Sequence, residues 1–447
     1  MTPKTPPGLN RPGLNRQILV LALPAFGALI AEPLFLIADS AIVGHLGVDS
    51  LAGVGLASTL LQTAVGLLVF LAYSTTPAVA RLIGAGQHRA AIAVGRDGLW
   101  LAAILGAALA VLGALCAEPI LRIMGAEGAV LEAASSYLRL SMPGVPAMLL
   151  VLAASGVLRG LQDTKTPLVV AGAGFALNAL LNWLLVYPVG MGVAGSAIGT
   201  SVAQWAMAAV YLVIVLKATH REELSLLPRW RGVLALTSTG GWLLLRTLSL
   251  RVAILATVLL ATAQGPVNLA AHQIAMTIFS FLAFALDALA IAAQALIGKE
   301  LGAADLPLVK ALTRKMTLWG LSFGVLTGVL VLFTSPWIGW IFSSDQAVHQ
   351  ALSAALLVLA LGQPVAGVVF VLDGVLIGAG DARYLALAGL LALICYLPLL
   401  WAVSLSNLSG PPALAWLWAA FAGGYLLARA LTLLFRARTD AWQRTGL

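Results

Sequence analysis

Asp39 sits in Ile37-Ala-Asp-Ser-Ala-Ile-Val-Gly-His45, a carboxylic acid set in an apolar run. An ionisable side chain in such surroundings costs at least ~2.5 kcal/mol on insertion scales, so it is a functional candidate by default. Its carboxylate can bind a proton or a sodium ion. The plainer alternative is a residue that caps the start of the next segment or rests at the outer interface. Glu32, one to two turns earlier beside Pro33, is placed to point toward the same cavity. Asn178 and Asn182, in Phe175-Ala-Leu-Asn-Ala-Leu-Leu-Asn-Trp183, project from one face of a helix because they are four apart. Buried amides need partners. These two can complete a polar pocket with Asp39, to which Thr200 adds a hydroxyl. Tyr137 either lines that pocket or anchors at the interface. Oxygen donors suit sodium, whereas a buried carboxylate suits a proton, since burial penalises the charged form. Without an ion, the same groups form an interhelical hydrogen-bond clamp.

A second set lies further along the chain. Arg246 and Arg251 flank Thr247 and Ser249 in one apolar segment, and Asp287 lies inside the next, where it is placed to pair with Arg246. Such a pair lowers the cost of burying both charges. Asp373, beside Gly374, reads as the end of a span. Gln273 and Gln294 are weaker candidates. His272 is a core hydrogen-bonding group or a cleft and gating residue. Pro24, Pro143 and Pro146 interrupt helices and free backbone carbonyls. Pro24 shares a segment with Asp39, so a bend there is expected to respond to the charge state of that aspartate.

These residues are held by a chain built for lipid. Of 447 residues 61% are hydrophobic and 9% charged, against roughly 25% charged in a soluble domain. Mean hydropathy is +1.00. A span needs about 20 mostly apolar residues. Twelve are expected, near 17–40, 52–76, 93–115, 134–156, 167–187, 192–216, 233–260, 268–296, 311–334, 350–373, 383–403 and 413–435. The prolines and glycines of 134–156 and 350–373 can disguise a break. With both termini inside, 21 of the 25 basic side chains, Arg429 among them, fall on the cytoplasmic side. Only Arg122 and Arg139 are left outside, as the positive-inside rule requires. The net charge of +8 therefore reflects topology and anionic lipid headgroups, not nucleic acid. Cys116 and Cys395 have no metal or redox spacing and read as small buried hydrophobes. The first hydrophobic segment reads as a retained span rather than a signal peptide.

The chain repeats itself. Gly156-Val-Leu-Arg-Gly160 with Asp163 matches Gly374-Val-Leu-Ile-Gly378 with Asp381 at an offset of 218, as Leu51-Ala52 through Ala57 matches Leu269-Ala270 through Ala275. Leu82-Ile83-Gly84 matches Leu296-Ile297-Gly298 at 214. The expected fold is thus an all-α integral membrane protein. Twelve transmembrane helices form two parallel-related six-helix lobes around a central cleft. Residues 1–16 form a cytoplasmic tail, 17–216 the first lobe, 217–232 a cytoplasmic linker, 233–435 the second lobe and 436–447 a second tail. The polar set is not repeated. At the 218 offset Asp39, Asn178, Asn182 and Thr200 fall opposite Thr257, Tyr396, Leu400 and Trp418, which favours an ion-coupling site in the first half.

No Walker loop, nucleotide fingerprint, nucleophile elbow or metal-ligand spacing is present. An enzyme is not expected, no cofactor is implied, and ATP does not drive transport within this chain. The segments Leu36-Ile-Ala-Asp-Ser-Ala-Ile-Val-Gly-His-Leu-Gly47 and Ser155-Gly-Val-Leu-Arg-Gly-Leu-Gln-Asp-Thr-Lys-Thr-Pro167 resemble the multidrug and toxic compound extrusion family. Leu286-Asp-Ala-Leu-Ala-Ile-Ala-Ala-Gln-Ala-Leu-Ile-Gly298 and Leu372-Asp-Gly-Val-Leu-Ile-Gly-Ala-Gly-Asp381 are similar to its DinF branch. The resemblance runs from about Arg16 to Arg436. It implies a V-shaped, multi-pass antiporter of the bacterial inner membrane, functional as a monomer among membrane lipids. Such a protein exports cationic or amphipathic organic compounds against H⁺ or Na⁺. Asp39 would be the coupling residue, with Tyr137, Asn178, Asn182 and Thr200 around it. Some members carry a second carboxylate where this chain has Asn182. Its loss weakens a sodium site more than a proton site, so H⁺ is favoured, with Na⁺ at the same four polar side chains as the alternative. A flippase or exporter of lipid-linked precursors is the rival function, and it would call for a strongly cationic cavity.

Overall fold

The structure is a computed structural model that describes residues 13–406 and 408–446, apart from the side chains of Glu32 and Leu36. Every regular element among the described residues is a helix. In chain order they form α1 (Leu14–Gly44), α2 (Val48–Leu67), α3 (Phe70–Gly84), α4 (His88–Ile123) and α5 (Gly128–Ser141). A 3₁₀ turn at Met142–Gly144 leads into α6 (Val145–Gly160), α7 (Lys165–Val186) and α8 (Gly192–Arg221). Then come α9 (Trp230–Ala263), α10 (Pro266–Gly302), α11 (Leu306–Phe342), α12 (Gln346–Gly378), α13 (Ala382–Leu405) and α14 (Gly410–Ala420). A π-helical turn at Phe421–Leu426 joins α14 to α15 (Leu427–Arg438).

Twelve stretches among the described residues are long and apolar enough to cross a membrane. α2 with α3, α5 with α6, and α14 with α15 each make one of them. The break foreseen in the fourth span is the 3₁₀ turn carrying Pro143, while the tenth span, α12, runs unbroken past Pro364. Pro24 lies inside an uninterrupted α1, and Pro146 falls in the first turn of α6, where a missing N–H costs nothing. The helix faces turned away from the core carry large apolar side chains such as Leu115, Phe333 and Trp401, which only a hydrocarbon solvent tolerates in such number. Cys116 and Cys395 belong to these faces: both are free and exposed rather than buried. In a lipid solvent an apolar thiol gains nothing by being turned inward.

The chain divides into two compact units, one spanning Val20–Gly240 and the other Gly241–Gly446 with the start of α1 to Leu19. Their helices repeat in register. The span Val48–Gly84 recurs as Pro266–Gly302 and Gly128–Gly160 as Gln346–Gly378, each 218 residues on. Packing obeys the same offset. A Cβ on Gly156 would meet the Ala72 backbone at 2.8 Å, and one on Gly374 the Ala290 backbone at 2.5 Å. Gly160 closes likewise on the Thr76 carbonyl (2.7 Å) and Gly378 on the Gln294 carbonyl (2.8 Å). The small residues let the backbones of α3 and α6, and of α10 and α12, approach to contact. The 214 match is one helical turn out of register, because α3 ends at Gly84 and α10 at Gly302, not Gly298.

Within the first unit, α8 continues to Arg221, and the segment after it is tied to α4. Asp97, fully buried, accepts from Arg96 (2.7 Å) and from the Arg229 backbone N–H (3.0 Å). Arg96 also donates to the Ser225 carbonyl, and Trp100 Nε1 donates to the Leu226 carbonyl at 2.9 Å.

Candidate functional site

The site is built on the contact between α7 and α8. A Cβ on Gly195 would fall 2.7 Å from the Leu185 backbone, and one on Gly199 would strike the Asn182 side-chain oxygen. The sequence Gly195-Ser-Ala-Ile-Gly199 therefore brings α8 close to α7 through a small-xxx-small face. That leaves Ser196, on the same face, and Thr200 one turn on, opposite the two asparagines. Asn178 Nδ2 donates to Thr200 Oγ1 at 3.0 Å.

Asp39 enters this contact from α1, five residues before the helix ends at Gly44, so it neither caps α2 nor lies at a helix terminus. Gly47 is the residue preceding α2. Asp39 is 5% exposed and accepts three hydrogen bonds. Asn182 Nδ2 and Ser196 Oγ each donate to Oδ1 at 2.7 Å, and Tyr137 Oη donates to Oδ2 at 3.4 Å. Asn178, Asn182, Ser196, Thr200 and Tyr137 are all buried. Tyr137 is thus a pocket residue reaching in from α5, not an interfacial anchor. The side-chain oxygens of Asn178 and Asn182 have no hydrogen-bond partner, a state that costs about 1–3 kcal/mol per buried group. Among the described residues the site is a single carboxylate ringed by neutral donors, with two side-chain carbonyl oxygens left without partners. Among the described residues no three acidic, histidine or cysteine side chains gather to hold a metal ion.

Ser196 was not legible as a site residue from its type alone. The signal was positional: it lies four residues before Thr200, between two glycines spaced for close packing. The side chain of Glu32 lies outside the described residues, and Pro24 sits fifteen residues before Asp39 along α1.

The matching position in the second unit is an aromatic core. Thr257 Oγ1 and Tyr396 Oη are 2.6 Å apart, and Trp418 packs against His272, Phe279 and Phe421 with ring centroids 5.6–6.3 Å apart. His272 is fully buried there, and neither ring nitrogen has a hydrogen-bond partner, so it does not make the core hydrogen bond expected of it.

The charges of this unit sit elsewhere. Asp373 lies inside α12, 4% exposed, and does not terminate a span. Arg429 Nη2 donates to its Oδ1 at 2.5 Å, and Arg246 forms an ion pair with its Oδ2. Arg429 Nη1 also donates to the Leu385 carbonyl at 2.8 Å. Arg246 is thus engaged by Asp373, and Asp287 stands half-buried on α10. Arg429 is a buried core cation rather than a residue beyond the last span, because α15 continues that span past it to Arg438. At the 218 offset the triad replaces Ala28, Ser155 and Tyr211, all uncharged.

A helical bundle of twelve spans repeated six by six, with a buried carboxylate ringed by neutral donors in one half, has the form of a membrane transporter. The MatE family profile matches residues 24–184 and 245–402. The DNA damage-inducible protein F of Escherichia coli is 33% identical over 383 residues, covering 82% of this chain and 81% of that protein. The chloroplastic protein DETOXIFICATION 44 of Arabidopsis thaliana is 31% identical over 397 residues, covering 86% of this chain and 75% of the relative. In structure, a mutant of the Vibrio cholerae MATE transporter VcmN superposes with a TM-score of 0.86 at 22% identity, over 96% of this chain and 98% of that one. The chain belongs to the MatE family, the multidrug and toxic compound extrusion transporters.

Proposed function

We propose that this protein exports cationic or amphipathic organic compounds across a bacterial inner membrane by antiport against H⁺, with Asp39 as the proton-binding group. In this reading both termini are cytoplasmic, the monomer is the working unit and the chain catalyses no covalent reaction. Relatives named multidrug resistance protein, such as NorM of Thermotoga maritima at 26% identity, support the cargo class.

The observation that carries the coupling reading is the chemistry of the groups facing Asp39. Asn182, Ser196 and Tyr137 all offer it donors, which suit a lone carboxylate that gains and loses a proton. A sodium ion would need the asparagine oxygens turned inward. Protonation changes what Asp39 asks of its neighbours. The neutral acid becomes a donor, and Asn182 can answer by turning its unpartnered oxygen toward it, in the space that the missing side chain of Gly199 leaves. The exchange alters the seam between α1, α7 and α8, where Pro24 weakens the ladder of α1. Substrate and proton then bias the same two-state equilibrium in opposite senses, as antiport requires.

The test is efflux of ethidium from proteoliposomes under pH and sodium gradients imposed separately, with Asp39→Asn in parallel. Movement driven by the pH gradient and lost in the variant supports the proposal. Movement driven by sodium alone overturns its choice of ion, and no movement under either gradient overturns its cargo.

A further inference from the structure

α9 carries a cation that the Asp39 site does not use. Leu248, Arg251, Val252, Leu255 and Leu259 recur at helical spacing, and all are exposed. Among the described residues Arg251 makes no hydrogen bond or ion pair. It stands about 18 Å along the axis from the end of α9 at Ala263, and farther still from Trp230, at 1.5 Å per residue. It therefore lies within the length of the span rather than at either end of it. A charge facing acyl chains at mid-depth costs at least ~2.5 kcal/mol, so such residues face protein, water or a ligand. No described residue of its own unit covers this face.

The repeat shows that the scaffold does not need the charge. The residue 218 positions earlier is Pro33, while Leu34 (61% exposed) and Ile37 (66%) keep the apolar character of Val252 (40%) and Leu255 (58%). Nor is the carboxylate of Asp373 available to neutralise Arg251, since Arg429 and Arg246 occupy both its oxygens. What remains is one cation set in a strip of leucine and valine.

We infer that this face of α9 binds an amphipathic anion, with Arg251 as counter-ion to a carboxylate, sulfonate or phosphate group and the flanking side chains against its apolar body. The range of cargo thereby extends beyond organic cations. Naming the ligand as cargo rests on the export function proposed above. The binding itself does not, because it needs no gradient and no working Asp39.

The test is equilibrium binding to the full-length protein in phosphatidylcholine nanodiscs. The probes are 8-anilinonaphthalene-1-sulfonate as the anion and ethidium as the cation, each corrected for empty discs. Arg251→Gln is expected to weaken sulfonate binding about tenfold, the loss of one charge-assisted contact. Arg251→Lys should recover most of it, and ethidium binding should change less than about twofold in either variant. Sulfonate binding unchanged by Arg251→Gln, or an equal loss for ethidium, overturns the inference. If phosphatidylglycerol in the discs displaces the sulfonate completely, the face is a lipid contact and the inference fails. Because Arg251 is exposed and holds no partner, neither variant removes a contact the fold uses.

Discussion

The side-chain amide of Asn182 donates to Asp39 at 2.7 Å, across 143 residues of sequence, and joins the first span to the fifth inside one six-span unit. Because its own oxygen is left without a partner, Asn182 is the group best placed to sense whether Asp39 is charged. Replacing it by aspartate would set a second carboxylate beside the first. Asn182→Asp is therefore expected to give a stronger sodium dependence than the parent, read as ethidium efflux driven by a sodium gradient. Like charges in contact disfavour full ionisation unless a cation lies between them.

Ser196 holds the same carboxylate oxygen at 2.7 Å. Ser196→Ala removes one donor from a buried anion without adding bulk. A hydrogen bond to a charged group is worth about 1.5–3 kcal/mol, so the variant should favour the protonated state and shift the transport–pH profile to higher pH. Initial rates across a pH series, with Ser196→Thr restoring the profile, check it.

Gly199 makes room for the Asn182 oxygen. Gly199→Ala forces that oxygen aside and overpacks the α7–α8 seam, at a cost of about 1–3 kcal/mol. Thermal unfolding in detergent should report a lower midpoint, while Gly172→Ala, on a stretch of α7 where a Cβ meets nothing within 4 Å, should leave it unmoved.

The triad of Arg246, Asp373 and Arg429 is a structural element of the second unit. Asp373→Asn leaves two guanidinium groups without their carboxylate, a change that costs about 3–5 kcal/mol when one partner of a buried ion pair is removed. The expected result is a large fall in thermal stability, partly restored when Arg429→Met is added, whereas Asp39→Asn should leave stability near the parent value.

The fold was legible because a membrane simplifies the reading. Length and apolar runs located the twelve spans, and Gly156 and Gly374 disclosed the repeat because close backbone approach admits nothing larger. In the site, Asp39, Asn178, Asn182, Thr200 and Tyr137 drew notice as polar groups in apolar surroundings, and the structure brings all five together. Ser196 escaped because a serine in a glycine-rich stretch is ordinary. Its role depends on which face of α8 meets α7. The contact of Arg246 with Asp373 escaped for a related reason. Asp373 and Arg429 looked terminal in sequence, yet α12 and α15 carry both into the core, and only the packing shows that Asp373 bridges the two arginines. The 214 match misled because small-residue motifs recur every helical turn, so a slip of four residues still looks like a match.

The central claim is that Asp39 gives up a proton when cargo binds. The most direct measurement is the pH change on adding ethidium to purified transporter in weakly buffered solution, for the parent and for Asp39→Asn. About one proton released per bound ethidium by the parent and none by the variant is the predicted result. Equal release from both proteins, or binding without release in the parent, would contradict it.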